Sequence, residues 1–110
     1  MTTRASHKDS SEISAATFPA LRSFLRGYFH EDMAAEYGTL DEAVRQFCED
    51  ADDKERKTVA GEWSRFAALT RGQSIAAINK FLTEKLGSAC RLKPEDVDKI
   101  SRAFEGLPPD

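Results

Sequence analysis

Apolar positions recur at the spacing of an α-helix in five stretches of the chain, and nowhere with the alternation of a strand bounded by hairpin turns. The first stretch holds Phe18, Leu21, Leu25 and Phe29, with Phe24 and Tyr28 beside them. Thr17 ahead of Pro19 offers a hydroxyl cap followed by proline in the first turn, so a helix should start there. Gly27 costs about 1 kcal/mol relative to alanine inside a helix, so either the helix ends at it or another element passes close by. Residues Met33 to Gly38 read as a connector.

Thr39-Leu40-Asp41-Glu42 is a T-x-x-E capping box set directly before Leu40, Ala43, Val44, Phe47, Cys48 and Ala51, the clearest amphipathic helix in the chain. Its outer face is Glu42, Gln46, Glu49 and Asp53. The next segment runs from about Asp53 to Thr70 on Val59, Trp63, Phe66, Ala67 and Thr70, and Arg71-Gly72 ends it. Ser74 caps a further helix with Ile75, Ile78, Phe81, Leu82 and Leu86 inside, closed by Gly87. Lys93-Pro94-Glu95-Asp96 opens the last, whose inner face is Val97, Ile100, Phe104 and Leu107. Residues 1–16 are Ser/Thr-rich and poor in large apolar side chains, and read as a polar tail. The expectation is an all-α domain over residues 17–110, a compact bundle of about five helices with short loops around one aromatic-rich core.

Composition narrows this without altering it. A chain of 110 residues suits one domain, and folding at that size removes roughly two-thirds of the unfolded chain's accessible surface. A 40% hydrophobic, 32% charged balance argues against global disorder. No apolar run is long enough to span a membrane, and Met1 to Ala16 holds no stretch of signal-peptide length. Cys48 and Cys90 do not make a disulfide framework, so a reduced, cytoplasmic setting is expected.

Charge changes the picture more. The net charge is −3, but between Glu31 and Glu55 ten acids face only Arg45 and Lys54, a net of −8, while the remainder of the chain carries +5. An ordinary solvated helix face, neutralised in part by Asp41–Arg45 and Glu42–Arg45 pairs, explains some of these acids, and the dipole at helix starts explains others. Glu49 and Asp50 fit neither account, because they sit late in their helix.

Candidate chemistry is sparse. His30-Glu31-Asp32 could hold a metal or move protons, but neighbouring positions on a helix diverge, and Ala34 stands where an H-E-x-x-H arrangement needs its second histidine. A role capping a helix end is the simpler reading of that cluster. Cys48 falls on an apolar face; Cys90 sits in a loop near Arg91, which could lower its pKa. Trp63 reads as a core anchor, and Lys54, Arg56 and Lys57 as a solvated face. No phosphate loop, paired-cysteine motif or nucleophile elbow is present.

The stretch from Phe18 to Phe47 resembles the contact-dependent growth inhibition immunity proteins, specifically small helical members with an aromatic-Pro start and a Tyr-Phe-His-x-Asp segment. Phe18-Pro19-Ala20-Leu21, Tyr28-Phe29-His30, Asp32, Glu36-Tyr37-Gly38 and Glu42-Ala43 carry the likeness, and Met33 departs from it where such sequences have tryptophan. The resemblance implies a cytoplasmic antitoxin, without enzymatic activity, cofactor or metal, that binds the C-terminal toxin domain of a contact-delivered effector as a heterodimer. Such toxins are often nucleases, so the partner is a basic cleft rather than nucleic acid or membrane. The charge map places the toxin-binding face on Glu42, Glu49, Asp52 and Asp53, extended by Glu31, Asp32 and Glu36. Two alternatives stand beside it: a small helical adaptor or transcription-associated regulatory module that uses an apolar groove and has no toxin partner, and a metal-dependent hydrolase centred on His30, Glu31 and Asp32.

Overall fold

The computed structural model describes residues 13–106, which form six α-helices and one π-helical turn with no strand among them. Helix α1 spans Pro19–Tyr28, α2 Met33–Glu36, α3 Leu40–Asp50, α4 Asp53–Leu69, α5 Ile75–Lys80 and α6 Pro94–Phe104. The all-α domain expected from the periodicity is what forms. Its one addition is α2, a single turn in the stretch read as a connector. Leu107, expected on the inner face of the last helix, lies outside the described residues.

Local chemistry sets most boundaries as expected. The capping box of α3 is complete: the Glu42 N–H donates to Thr39 Oγ1 (3.3 Å), and the Thr39 N–H donates to Glu42 Oε1 (3.0 Å). Ser74 Oγ accepts from the Ala77 N–H and opens α5. The start of α1 differs. Phe18 is the residue ahead of the first turn, and the Thr17 hydroxyl turns back to Ser14. The Leu21 N–H donates instead to Glu62 Oε1 of α4 (2.8 Å), so a carboxylate 41 residues away caps α1.

The helix begun at Ile75 does not run regularly to Leu86. Past Lys80 it widens into a π-turn, Phe81–Lys85, in which the Leu86 N–H reaches the Phe81 carbonyl (3.2 Å). Leu82 and Leu86 remain buried, whereas Phe81 is left half-buried. The chain from Gly87 to Lys93 then crosses the surface without regular structure and is held by side chains. Asn79 Nδ2 donates to the Leu92 carbonyl (2.9 Å), and the Leu92 N–H donates to Asn79 Oδ1 (2.7 Å), which explains why an amide is buried in this helix.

Helix α3 packs on α6, α1 on α4, and α4 on α6, closing the apolar stripes over one another. Phe24 sits at the centre with its ring against Phe29, Phe47 and Phe104 at centroid distances of 5.2, 4.9 and 5.5 Å. Trp63 is a core residue, and its indole N–H donates to Ser101 Oγ (2.8 Å). Ile13 is also buried, within the stretch expected to be a polar tail. Among the described residues nothing lies within 4 Å of where a Cβ at Gly27 would sit, and Gly27 comes one residue before α1 ends.

Candidate functional site

The acids singled out from the sequence are all exposed, and the fold divides them into two groups. The first lies along the outer face of α3 and the start of α4. Glu42 and Glu49 are seven residues apart on one helix, two turns on the same side. Asp52 and Asp53 follow immediately, where the chain enters α4. Three of these four have local duties. Glu42 completes the capping box, Asp52 Oδ1 caps α4 by accepting from the Glu55 N–H (2.8 Å), and Asp53 pairs with Arg56. Arg56 also donates to the Cys48 carbonyl (3.1 Å), one of the last carbonyls of α3. Only Glu49 has a side chain with no hydrogen bond or ion pair to another described residue, and it lies at the end of α3 where the dipole disfavours a negative charge.

The second group surrounds the turn between α1 and α2. Glu31, Asp32 and Glu36 line an open hollow of about 490 Å³ together with Arg26, His30, Gly87 and Ala89. The His30-Glu31-Asp32 cluster serves the turn. Nδ1 of His30 accepts from the Asp32 N–H (3.1 Å), and Nε2 faces Glu36 Oε1 at 3.3 Å. The neighbouring carbonyls hold the 87–93 crossing in place. Phe29 accepts from the Ala89 N–H (2.9 Å), and His30 accepts from the Cys90 thiol at 3.6 Å. Among the described residues no group of three or more His, Cys, Asp or Glu side chains is placed to hold a metal ion.

Two tyrosines join the groups. The Tyr28 hydroxyl donates to Asp50 Oδ2 (2.8 Å), whose other oxygen accepts from Gln46 Nε2 (3.0 Å). This gives Asp50 a structural reason that its helix position did not suggest. The Tyr28 ring stacks on Tyr37, with centroids 5.3 Å apart and planes at 27°. Burial, then the hydrogen bond to Asp50 and the charges of Asp50, Tyr37 and Glu55, push the Tyr28 phenol well above its ordinary value. Burial and the carboxylates of Glu36 and Asp50 raise Tyr37 likewise. Glu36 of the second group and Asp50 and Glu55 beside the first therefore flank one aromatic pair. The apolar spacing puts Tyr28 beside the stripe of α1 and Tyr37 in a connector; the signals for a special position are the family resemblance that both carry and the unexplained Asp50.

The cysteines are not activated. Burial raises both thiols, and at Cys48 this outweighs the lowering by Arg56 and Arg45. The lowering of Cys90 expected from Arg91 does not occur: Cys90 packs against the core while Arg91 is exposed. Elsewhere, Ala67, Thr70, Ile75, Ile78, Pro94 and Val97 line a largely apolar cleft of about 430 Å³ among α4, α5 and α6. No described helix is long and apolar enough to cross a membrane.

No curated protein and no solved structure matches the chain. A family model does: that of the CdiI immunity protein, over residues 17–104, which takes in every described helix, the turn around His30, Tyr28 and Tyr37. The chain belongs to the CdiI immunity protein family.

Proposed function

We propose that this protein works in the cytoplasm as the antitoxin of a contact-dependent growth inhibition system, neutralising the effector's C-terminal toxin domain in a one-to-one complex. The toxin in this reading is a nuclease, and the surface that meets it is Glu42, Glu49, Asp52 and Asp53, with Glu31, Asp32 and Glu36 at its edge. The immunity protein itself performs no catalysis. The observation that carries the reading is Glu49: an exposed carboxylate at a helix end that disfavours it, with no partner among the described residues, inside a window of net charge −8. A nuclease cleft is lined with cations that expect phosphate. Carboxylates on a rigid helix face can occupy those cations, exclude the substrate and speed encounter by long-range attraction.

The direct test is co-expression of the chain with the toxin domain encoded immediately upstream, scored by growth. Cells carrying both survive, and cells carrying the toxin alone do not. Death regardless of this chain would overturn the reading. The apolar cleft among α4, α5 and α6 favours a second reading, an adaptor that takes an apolar segment of a partner there. On that reading Ile78→Asp abolishes partner binding while Glu49→Lys leaves it intact; on the antitoxin reading Glu49→Lys is the damaging change.

A further inference from the structure

The aromatic core reaches the surface along one line. Phe24, buried at the centre, stacks on Tyr28 with centroids 5.4 Å apart and planes at 16°, and Tyr28 stacks in turn on Tyr37. Tyr37 is half-buried and is the outermost ring of this stack. The ring of His30 stands 6.2 Å from it and tilted by 56°, beside Tyr37 rather than continuing the pile. Carboxylates from three helices surround the pair: Glu36 of α2 beside Tyr37, Asp50 of α3 bonded to the Tyr28 hydroxyl, and Glu55 of α4 within electrostatic reach of Tyr28. Arg56, near the start of α4, is held by Asp53 and by the Cys48 carbonyl.

We propose that Tyr37 seats an arginine side chain of the toxin domain, its guanidinium lying on the outer side of the Tyr28–Tyr37 stack with its N–H groups toward Glu36 and Asp50. The inference rests on the toxin-binding reading and names the chemistry at one point of that interface. Three arguments select arginine. A planar, delocalised cation continues an aromatic stack and is drawn to the ring face. An apolar group would strip water from Glu36 and Asp50, whose bonds to His30, Tyr28 and Gln46 are already made, and supply no cation in return, and an anion would be repelled. A lysine would satisfy the charge but present no plane to the ring and no fork to the two carboxylates. A tyrosine anchored on a buried core, with charge at its rim, also matches the aromatic centres that dominate tight protein interfaces.

Binding of the purified toxin domain to the wild type, Tyr37→Phe and Tyr37→Leu tests this, with unfolding curves to confirm that each variant is folded. Tyr37→Phe keeps the ring and should bind within about threefold of wild type, while Tyr37→Leu should bind at least tenfold more weakly. Equal binding by a folded Tyr37→Leu overturns the inference and leaves the antitoxin reading standing; a wild type that does not bind the toxin overturns both. Should Tyr37→Leu not fold, the toxin side decides. Replacing each toxin arginine with lysine in turn should reveal one whose loss weakens binding at least tenfold, and a set in which none does so overturns the inference.

Discussion

Glu42 shows how much one side chain can carry at the edge of this surface. Its carboxylate accepts the Thr39 N–H and stands over Gly38, whose φ of 96° lies in the region that disfavours any side chain. A methyl group at Gly38 would collide with Glu42 Oε1. Gly38→Ala should therefore lose the capping box as well as strain the backbone, costing about 1–3 kcal/mol in urea unfolding, against a gain of up to about 1 kcal/mol for Gly61→Ala, a helical site with open space around it. Tyr28 makes a second residue-scale prediction, in pH. Its folded pKa is raised, so the folded protein keeps the proton longer than the unfolded chain, whose tyrosines titrate near 10.0. The resulting stabilisation is complete below pH 10.0 and falls as pH rises above it, because the unfolded state then binds fewer protons. Unfolding curves from pH 8 to 11 should show a loss above about pH 10 that is smaller in Tyr28→Phe.

At the scale of the element, legibility in the sequence followed the range of the interaction. The capping box of α3, the Ser74 cap and the Lys93-Pro94-Glu95-Asp96 start of α6 rest on contacts within four residues, so a short motif announces each. What periodicity could not reveal were the bonds between elements. Glu62 caps α1 from α4, and nothing near Phe18 announces it; the Asn79–Leu92 pair, which holds the 87–93 crossing, joins residues 13 apart across a π-turn. Both are testable. Glu62→Ala should cost about 1 kcal/mol, the usual price of a lost helix cap. Asn79→Ala should cost about 2–4 kcal/mol, since it leaves a buried N–H and a buried carbonyl of Leu92 without partners. A change of less than 0.5 kcal/mol (about the scatter expected for a surface substitution) at Asn79 would mean that this latch contributes nothing to the fold.

The molecule as a whole separates scaffold from surface. The Tyr-Phe-His-x-Asp segment, the likeness by which the family was legible in the sequence, proves to be scaffold at most of its positions. Phe29 is buried and holds Ala89, His30 binds the Asp32 N–H, and Tyr28 ties α1 to the end of α3. The family model matches residues 17–104, a span that includes this segment. The charged surface was legible only as a sum. The −8 window pointed to α3 and the start of α4 but did not reveal the division of labour there, in which Glu42, Asp52 and Asp53 make local bonds and the Glu49 side chain does not. The distinction matters for reading mutants, because changes at the first three act on stability as well as on any partner.

The central claim is that the acidic face of α3 and the start of α4 meets a basic toxin surface. Its most direct test is the affinity of the purified toxin domain for the wild type and for the Glu49→Lys, Asp53→Lys double variant, measured from about 50 to about 500 mM salt, a range over which the screening length shortens by about threefold. The account predicts wild-type binding that weakens steeply with salt, and a folded double variant that binds at least tenfold more weakly at low salt with a flatter salt dependence. A folded double variant with wild-type affinity at every salt concentration would contradict it.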